Sequence, residues 1–467
     1  MKAIQIRDIV KAVSGTLAWG SDKTYIRNVS TDSRKVNKET LFVPLIGERV
    51  DAHRFIPDVL EQGAACVFSS DPTVSGTKGA CICVEDTLRA MQQLAAWYRS
   101  LFVLPVIGIS GSVGKTTTKE MIAAVMETKY RTLKTYKNLN SQIGVAQMMF
   151  ELEEDTELAV IEMGISMPGE MDRLADIVRP SCAVLTNIGV SHIGNLGSRE
   201  NICAEKGKMI CHMPQEGILF VCGNGDMIPL TKENIPYESC QSRFVTVYYG
   251  TENNCLYYGD EIEADESGQH FTFHSPAGAE RVSLSVMGVH NVNNAIVALA
   301  LARQFDVPMS DALRALKDYT PIDMRGVVHA VRGTHIIDDS YNASPDSITS
   351  NLRALFDYPG VGRRIAVLAD VLELGKDSEE LHRGIGRYIV EESRKGRELA
   401  YLITVGKEAA YIGMTVKENS QIPVVCCDSR EQAVQNVQQQ MQRGDWILVK
   451  GSRGMKMDEV VEQLIKE

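Results

Sequence analysis

Residues 106–121, VIGISGSVGKTTTKEM, read as a buried strand that turns on glycines and runs straight into a helix. Few local folds accommodate that pattern. Across Gly111-Ser112-Val113-Gly114-Lys115-Thr116-Thr117-Thr118, glycines let backbone N–H groups converge on phosphate oxygens, and the helix that follows presents its positive dipole end. Lys115 then reaches the outer phosphates, and Thr116 offers a hydroxyl to Mg²⁺. The strict GxxxxGK[ST] spacing is not met, because Ile109 stands where its first glycine belongs. The stretch predicts a nucleotide-binding α/β unit, and alone it leaves kinase, ATPase, switch and ligase open.

The rest of the chain narrows the choice. At 467 residues it is too long for one ordinary core, so several domains are expected. A hydrophobic content of 44% and a charged content of 23% describe a globular protein. The net charge of −11 argues against nucleic acid or an anionic membrane as partner, so positive charge for anionic ligands must be local. Eleven scattered cysteines without a CxxC pair fit reduced thiols better than a disulfide frame or a zinc site. The segment MKAIQIRDIVKAVSG lacks a long apolar core, and no run approaches a membrane span, so a cytoplasmic protein is expected.

Three segments follow from the patterning. The first hundred residues mix short strand-like runs (TLFVPLIG, CVFSS, ACICVED) with helices such as TLRAMQQLAAWYRSLF, whose Leu88, Met91, Leu94, Ala95 and Tyr98 fall at helical spacing. From LPVIGISG onward, apolar runs such as ELAVIEMG and CAVLTNIG alternate with helices, as in a parallel sheet covered on both faces. Residues 215–285 change to alternating, turn-rich β, which reads as an insertion or subdomain edge. After YTPIDMRG, five strand candidates (THIID, RIAVLAD, AYLITVG, PVVCCD and DWILVKG) predict a Rossmann-like unit. Gly111, Glu162, Asn187, Asp339, Asp370 and Lys450 each follow an apolar strand, where open parallel sheets bind ligands.

Taken singly these polar residues are ambiguous. Glu162 fits an oxygen ligand for Mg²⁺ or an ordinary ion pair. His192 fits a structural histidine, and Lys206, in a strip with Glu200 and Glu205, fits a solvated charge. Asn291 and Asn294 fit a helix entrance, and Asp339 with its neighbours fits a turn. Their joint order decides. The succession GSVGKTTTKEM, KNLNSQIGV, EMGISMPGEM, TNIGVSH, GVHNVNNA, MRG, DDSYNASPDS, LELG and VKGSRGMKMDEVV, with STDSR upstream, resembles the Mur ligase family along essentially the whole chain.

The resemblance implies an α/β protein of three domains. These are a mixed α/β UDP-sugar-binding unit over 1–102, a central P-loop ATPase unit over 103–321, and a C-terminal Rossmann-like unit over 322–467. It implies an ADP-forming amide ligase acting through an acyl phosphate. SYNASP and PGEM point to the branch that adds D-Ala-D-Ala to UDP-N-acetylmuramoyl-tripeptide, with ATP and Mg²⁺ and as a monomer. The resemblance also implies site residues. Gly111, Ser112, Val113, Gly114, Lys115, Thr116 and Thr117 would hold the phosphates, and Thr116, Glu162, His192 and a carbamylated Lys206 the metal. Asn138 and Asn140 would lie near the reacting carboxylate. Asn291 and Asn294 would contact the nucleoside, with Arg325, Asp339, Tyr341 and Asn342 covering ATP. Lys450, Ser452 and Arg453 would face the cleft. Ser30, Asp32, Ser33, Arg34, Asp51 and His53 would meet the uridine diphosphate. The rivals left open are a ligase with another dipeptide (D-Ala-D-Lac or D-Ala-D-Ser), a folylpolyglutamate-type ligase, and a non-catalytic P-loop protein.

Overall fold

The computed structural model describes residues 1–47, 49–214, 216–240, 244–322, 324–360 and 362–466. Arg243, which opens the β-rich run RFVTVYYG, and Asp323 of IDMRG lie outside the described residues. Three larger sheets account for the architecture, each drawn from its own stretch of chain.

The first is five-stranded, in the order Thr16–Trp19, Ala80–Cys83, Cys66–Ser69, Thr40–Phe42, Asn28–Ser30, with only the Thr16–Trp19 edge antiparallel. The helix Thr87–Ser100 leaves it, and the Asp86 carboxylate accepts the Arg89 amide at 2.8 Å as its N-cap. Its apolar stripe of Met91, Leu94, Ala95 and Tyr98 does not stay within the first unit. It joins Met149, Leu174 and Val178 of the helices Gln142–Met149 and Glu170–Val178 in one continuous core. The linker after Ser100 is pinned too. The buried Arg99 guanidinium donates to the carbonyls of Phe102 at 2.8 Å, Leu104 at 3.1 Å and Val178 at 3.3 Å.

The central sheet has nine strands, running Thr132–Lys134, Leu158–Glu162, Val106–Ser110, Cys182–Leu185, Gly217–Cys222 and on through Phe244–Gly250 to Gly278–Leu284. The described strands of the turn-rich stretch after residue 215 extend this sheet, and its far edge ends in two antiparallel pairings. Val106–Ser110 lies between Leu158–Glu162 and Cys182–Leu185, both parallel to it, so the loops after all three strands open side by side. The helices Lys115–Met126 and Val289–Gln304 pack over one face. Alanines 295, 298, 300 and 302 let the second lie close to the sheet.

The third sheet runs Val327–Val331, Thr334–Asp338, Trp446–Lys450, Arg364–Ala369, Tyr401–Val405, Val424–Cys427. It contains all five anticipated strands and adds an antiparallel edge, Val327–Val331. Its run VVHAV is mostly apolar, and its residues alternate between half-buried and exposed. The eleven cysteines are all free. Among the described residues no helix is long and apolar enough to cross a membrane.

Tyr98 gives a test of the shared core. Its hydroxyl accepts the Lys2 amide at 2.7 Å and donates to the Leu152 carbonyl at 2.8 Å, and burial pushes its pKa up to about 12. Tyr98→Phe strands both backbone groups and is expected to cost about 1–3 kcal/mol in denaturant unfolding. Because the folded pKa exceeds the unfolded value, the contribution is complete below pH ~10. The wild-type advantage over Tyr98→Phe should therefore shrink as pH rises through about 12.

Candidate active site

The loop after Val106–Ser110 is shaped by its neighbours. Gly111 has φ 149°, and a methyl there would lie 2.0 Å from Thr186 Oγ1, so this close approach requires glycine. Gly114, at φ 86°, caps the helix that begins at Lys115. From the next strand end, the Asn187 carbonyl accepts the Ser112 amide at 3.0 Å and its Oδ1 accepts the Val113 amide at 2.7 Å. Thr186 Oγ1 donates to the Val113 carbonyl at 2.6 Å. Lys115 folds over this turn, with Nζ donating to the Gly111 carbonyl at 2.9 Å, and burial lowers its pKa against the opposing charge of Glu162.

On the other side of the loop stands Glu162, 1% exposed. Its Oε2 accepts the Thr116 hydroxyl at 2.9 Å and its Oε1 accepts Asn140 Nδ2 at 2.7 Å. Lys206, also 1% exposed, lies on the helix Arg199–Gly207. Burial and the charge of Lys115 pull its pKa well below that of a free lysine, with Glu205 and Glu170 opposing. His192 has φ 63°, and its Nδ1 lies 2.6 Å from Glu373 Oε2 on the third unit. Burial, with the charges of Lys206 and Lys115, lowers its pKa, so neutral imidazole is favoured.

These groups open into a cleft of about 350 Å³ between the strand ends of the central and third sheets. Ser112 through Thr117, Asn140, Glu162, His192, Asn291, Asn294, Arg325, Asp339, Tyr341, Asn342, Lys450, Ser452 and Arg453 all line it. Thr118 Oγ1 donates to Asn294 Oδ1 at 2.8 Å, and Asn294 Nδ2 to Asn291 Oδ1 at 3.2 Å, which ties the nucleotide loop's helix to the entrance of Val289–Gln304. Facing them, Lys450 Nζ pairs with Asp339 and donates to the Asn342 carbonyl at 3.0 Å. The Arg325 guanidinium stacks on Tyr341 with 4.1 Å to the ring centre, and Arg453 lies over the same ring at 5.8 Å.

Other anticipated residues lie elsewhere. Gly111 is buried beneath the loop, and Lys206 acts on the cleft through its charge rather than by lining it. Asn138 is exposed and outside the lining, whereas its neighbour Asn140 reaches Glu162. Ser30, Asp32, Ser33, Arg34, Asp51 and His53 belong to the first unit and are absent from the cleft. There Asp32 is paired with Arg34 at 2.8 Å, which holds its pKa at about 2. Asp51 Oδ1 meets His53 Nδ1 at 2.6 Å, and His53 Nε2 lies 3.0 Å from Ser70 Oγ. Sequence reasoning did not assign a role to Glu373, to His290, a half-buried cleft residue whose pKa desolvation lowers to about 4, or to Asn187 as a brace. Glu373 and His290 entered only as members of the motifs LELG and GVHNVNNA, and Asn187 only as a strand end.

Three family models cover most of the chain: the Mur ligase family catalytic domain at 25–99, the Mur ligase middle domain at 109–302, and the Mur ligase glutamate ligase domain at 324–453. The chain belongs to the Mur ligase family. It is 37% identical to the UDP-N-acetylmuramoyl-tripeptide–D-alanyl-D-alanine ligase of Bacillus subtilis (strain 168) over 99% of this chain and 98% of that one. Its fold matches a crystal structure of MurF from Acinetobacter baumannii with a TM-score of 0.88, 28% identity and 100% coverage of both chains. A MurF ligase from Thermotoga maritima in complex with ADP matches with a TM-score of 0.83 and 26% identity, over 94% of this chain and 97% of that one. A Mur ligase cleft built this way depends on Asn187 to aim the loop amides. Asn187→Ala should weaken ADP binding about tenfold by calorimetry, while leaving the melting temperature close to that of the wild type.

Proposed function

We propose that this chain is the ATP-dependent, ADP-forming Mur ligase that joins D-Ala-D-Ala to UDP-N-acetylmuramoyl-tripeptide. The observation that carries the reading is the apposition of two strand-end edges across one cleft, with the P-loop and Glu162 on one side and Asp339, Lys450 and Arg453 on the other. Relatedness to a D-Ala-D-Ala-adding ligase along nearly its full length supports the substrate pair. The units are assigned as 1–102 for the nucleotide sugar, 103–321 for ATP and 322–467 for closing the cleft, in a cytoplasmic monomer.

A carboxylate is a poor electrophile, and transfer of the γ-phosphoryl group gives it a leaving group that the dipeptide amine displaces as phosphate. Both reacting partners are anions, so the chain must supply positive charge where they meet. Lys115 and Arg325 do so from opposite sides of the cleft. The donors around the loop fit Mg²⁺: Thr116 and Glu162 bring oxygens together, and nucleotide phosphates complete such a set. Among the described residues no group of three or more His, Cys, Asp or Glu could hold a metal unaided, which suits an ion that arrives with its nucleotide. Mg²⁺ would neutralise phosphate charge, and neutral His192 offers a further nitrogen ligand. A carbamate on Lys206 fits as well. Burial beside Lys115 disfavours the ammonium form and leaves a neutral amine able to take up CO₂ with loss of a proton.

The test is stoichiometric. Purified protein with Mg²⁺, ATP, UDP-N-acetylmuramoyl-tripeptide and D-Ala-D-Ala should form one ADP, one phosphate and one new amide per turnover. AMP with pyrophosphate, or ATP consumption indifferent to the dipeptide, would reject the reading. Side-by-side assays of D-Ala-D-Lac and D-Ala-D-Ser should show slower turnover. Lys206→Ala should lose at least about 100-fold in kcat, with partial recovery in added short-chain acid; unchanged kcat would remove the carbamate.

A further inference from the structure

The loop 188–192 carries His192, and three of the bonds that hold its backbone bear on the cleft. Gly189 N donates to Ser112 Oγ of the P-loop at 2.9 Å. Arg199 Nε donates to the Ile188 carbonyl at 2.7 Å, with its guanidinium anchored on Asp226. The third holder comes from another unit: Asp346 Oδ2 accepts the Val190 amide at 3.1 Å. Asp346 sits in the first turn of the helix Pro345–Asp357, whose start is fixed by the reciprocal capping of Ser344 and Ser347.

The fit here is unusually close. A methyl on Gly189 would lie 2.0 Å from Asp346 Oδ2 and 2.7 Å from its Cγ, and the three nearest atoms all belong to that carboxylate. Gly189 is not in the left-handed region, so space rather than backbone conformation excludes a side chain. Gly194 repeats the arrangement, since a methyl there would meet the Glu373 carbonyl at 2.9 Å and the Gly375 amide at 3.0 Å. The third unit therefore approaches this loop at two glycines.

We propose that Asp346 is a positioning residue that keys the third unit to the P-loop through Val190 and Gly189, bringing the Asp339–Lys450 edge into register with nucleotide bound on the central sheet. This rests on reading the cleft as the nucleotide site. An incidental interface contact would leave nucleotide affinity indifferent to the carboxylate. A keying contact makes Gly189 and Asp346 interdependent, because a methyl at 189 does harm only while the carboxylate is there to be displaced.

The experiment is a double-mutant cycle in the full-length protein, read as the Kd for ADP by calorimetry and, separately, as KM for ATP and kcat in the ligase assay. Gly189→Ala is expected to weaken ADP binding and raise KM for ATP about tenfold. Asp346→Ala should cost about three- to tenfold on the same parameters. In the Asp346→Ala background, Gly189→Ala should cost less than about twofold. An undiminished penalty in that background overturns the proposal. Asp346→Asn retains an acceptor oxygen and should regain most of what Asp346→Ala loses; no recovery also overturns it. A wild type that binds ADP but forms no amide would sink the functional reading while the ADP cycle still decides the role of Asp346.

Discussion

Glu162 is a carboxylate removed from water at the end of a five-residue strand that is buried throughout. An isolated charge in such a place would cost several kcal/mol, so the site around it has to be organised. The Thr116 hydroxyl and the Asn140 amide supply the donors, the first from the start of the P-loop helix and the second from the loop before Gln142–Met149. Satisfying one carboxylate thus fixes the start of the P-loop helix and the turn after KNLN relative to one another. The Asn140 carbonyl also accepts the Gly164 amide at 2.8 Å, which returns the constraint to the chain just beyond Glu162. The nucleotide loop, the Glu162 carboxylate and the turn at Asn140 are in this way one hydrogen-bonded object.

The same arithmetic governs the cations. The chain is acidic overall, yet Lys115, Lys206, Arg325 and Lys450 crowd into or beneath one cleft. Lys450 has its counter-charge in Asp339, while burial and the charge of Arg325 lower the proton affinity of Lys115, and burial and the charge of Lys115 lower that of Lys206. A buried excess of positive charge is unfavourable in the empty protein and favourable once phosphates arrive. Binding energy for an anion is therefore stored in the site before the ligand reaches it.

Much of this was readable from residue order, and the limits have physical causes. The P-loop, the strand ends at Glu162 and Lys450, and the five parallel strands of the third unit follow from continuous apolar runs with polar termini, because parallel strands are buried on both faces. The edge strand Val327–Val331 was not anticipated although four of its five residues are apolar, because so short a run between Gly326 and Gly333 has no neighbour in the pattern to mark it as paired. Asn138 and Asn140 are two residues apart in one motif, and only side-chain direction tells that the second meets Glu162. Glu373 and Asp346 fall within the motifs LELG and DDSYNASPDS, but nothing in those motifs says what either residue touches. Their roles depend on contacts 181 and 156 residues away in the chain, which a local pattern cannot encode.

An acyl phosphate in water is lost to hydrolysis, so a ligase of this kind has to build its electrophile where solvent is scarce and the amine is at hand. Neither sheet alone offers such a place: the strand ends of an open parallel sheet face outward. Setting two such edges against each other turns two outward-facing rims into one cleft, with phosphate-binding groups on one wall and a cationic, aromatic wall opposite. The close approach at Gly189 and Gly194 permits that apposition, since ordinary side chains there would hold the walls apart. The apposition of the two walls thus depends on residues that carry no chemistry of their own, and glycine serves there because it adds nothing.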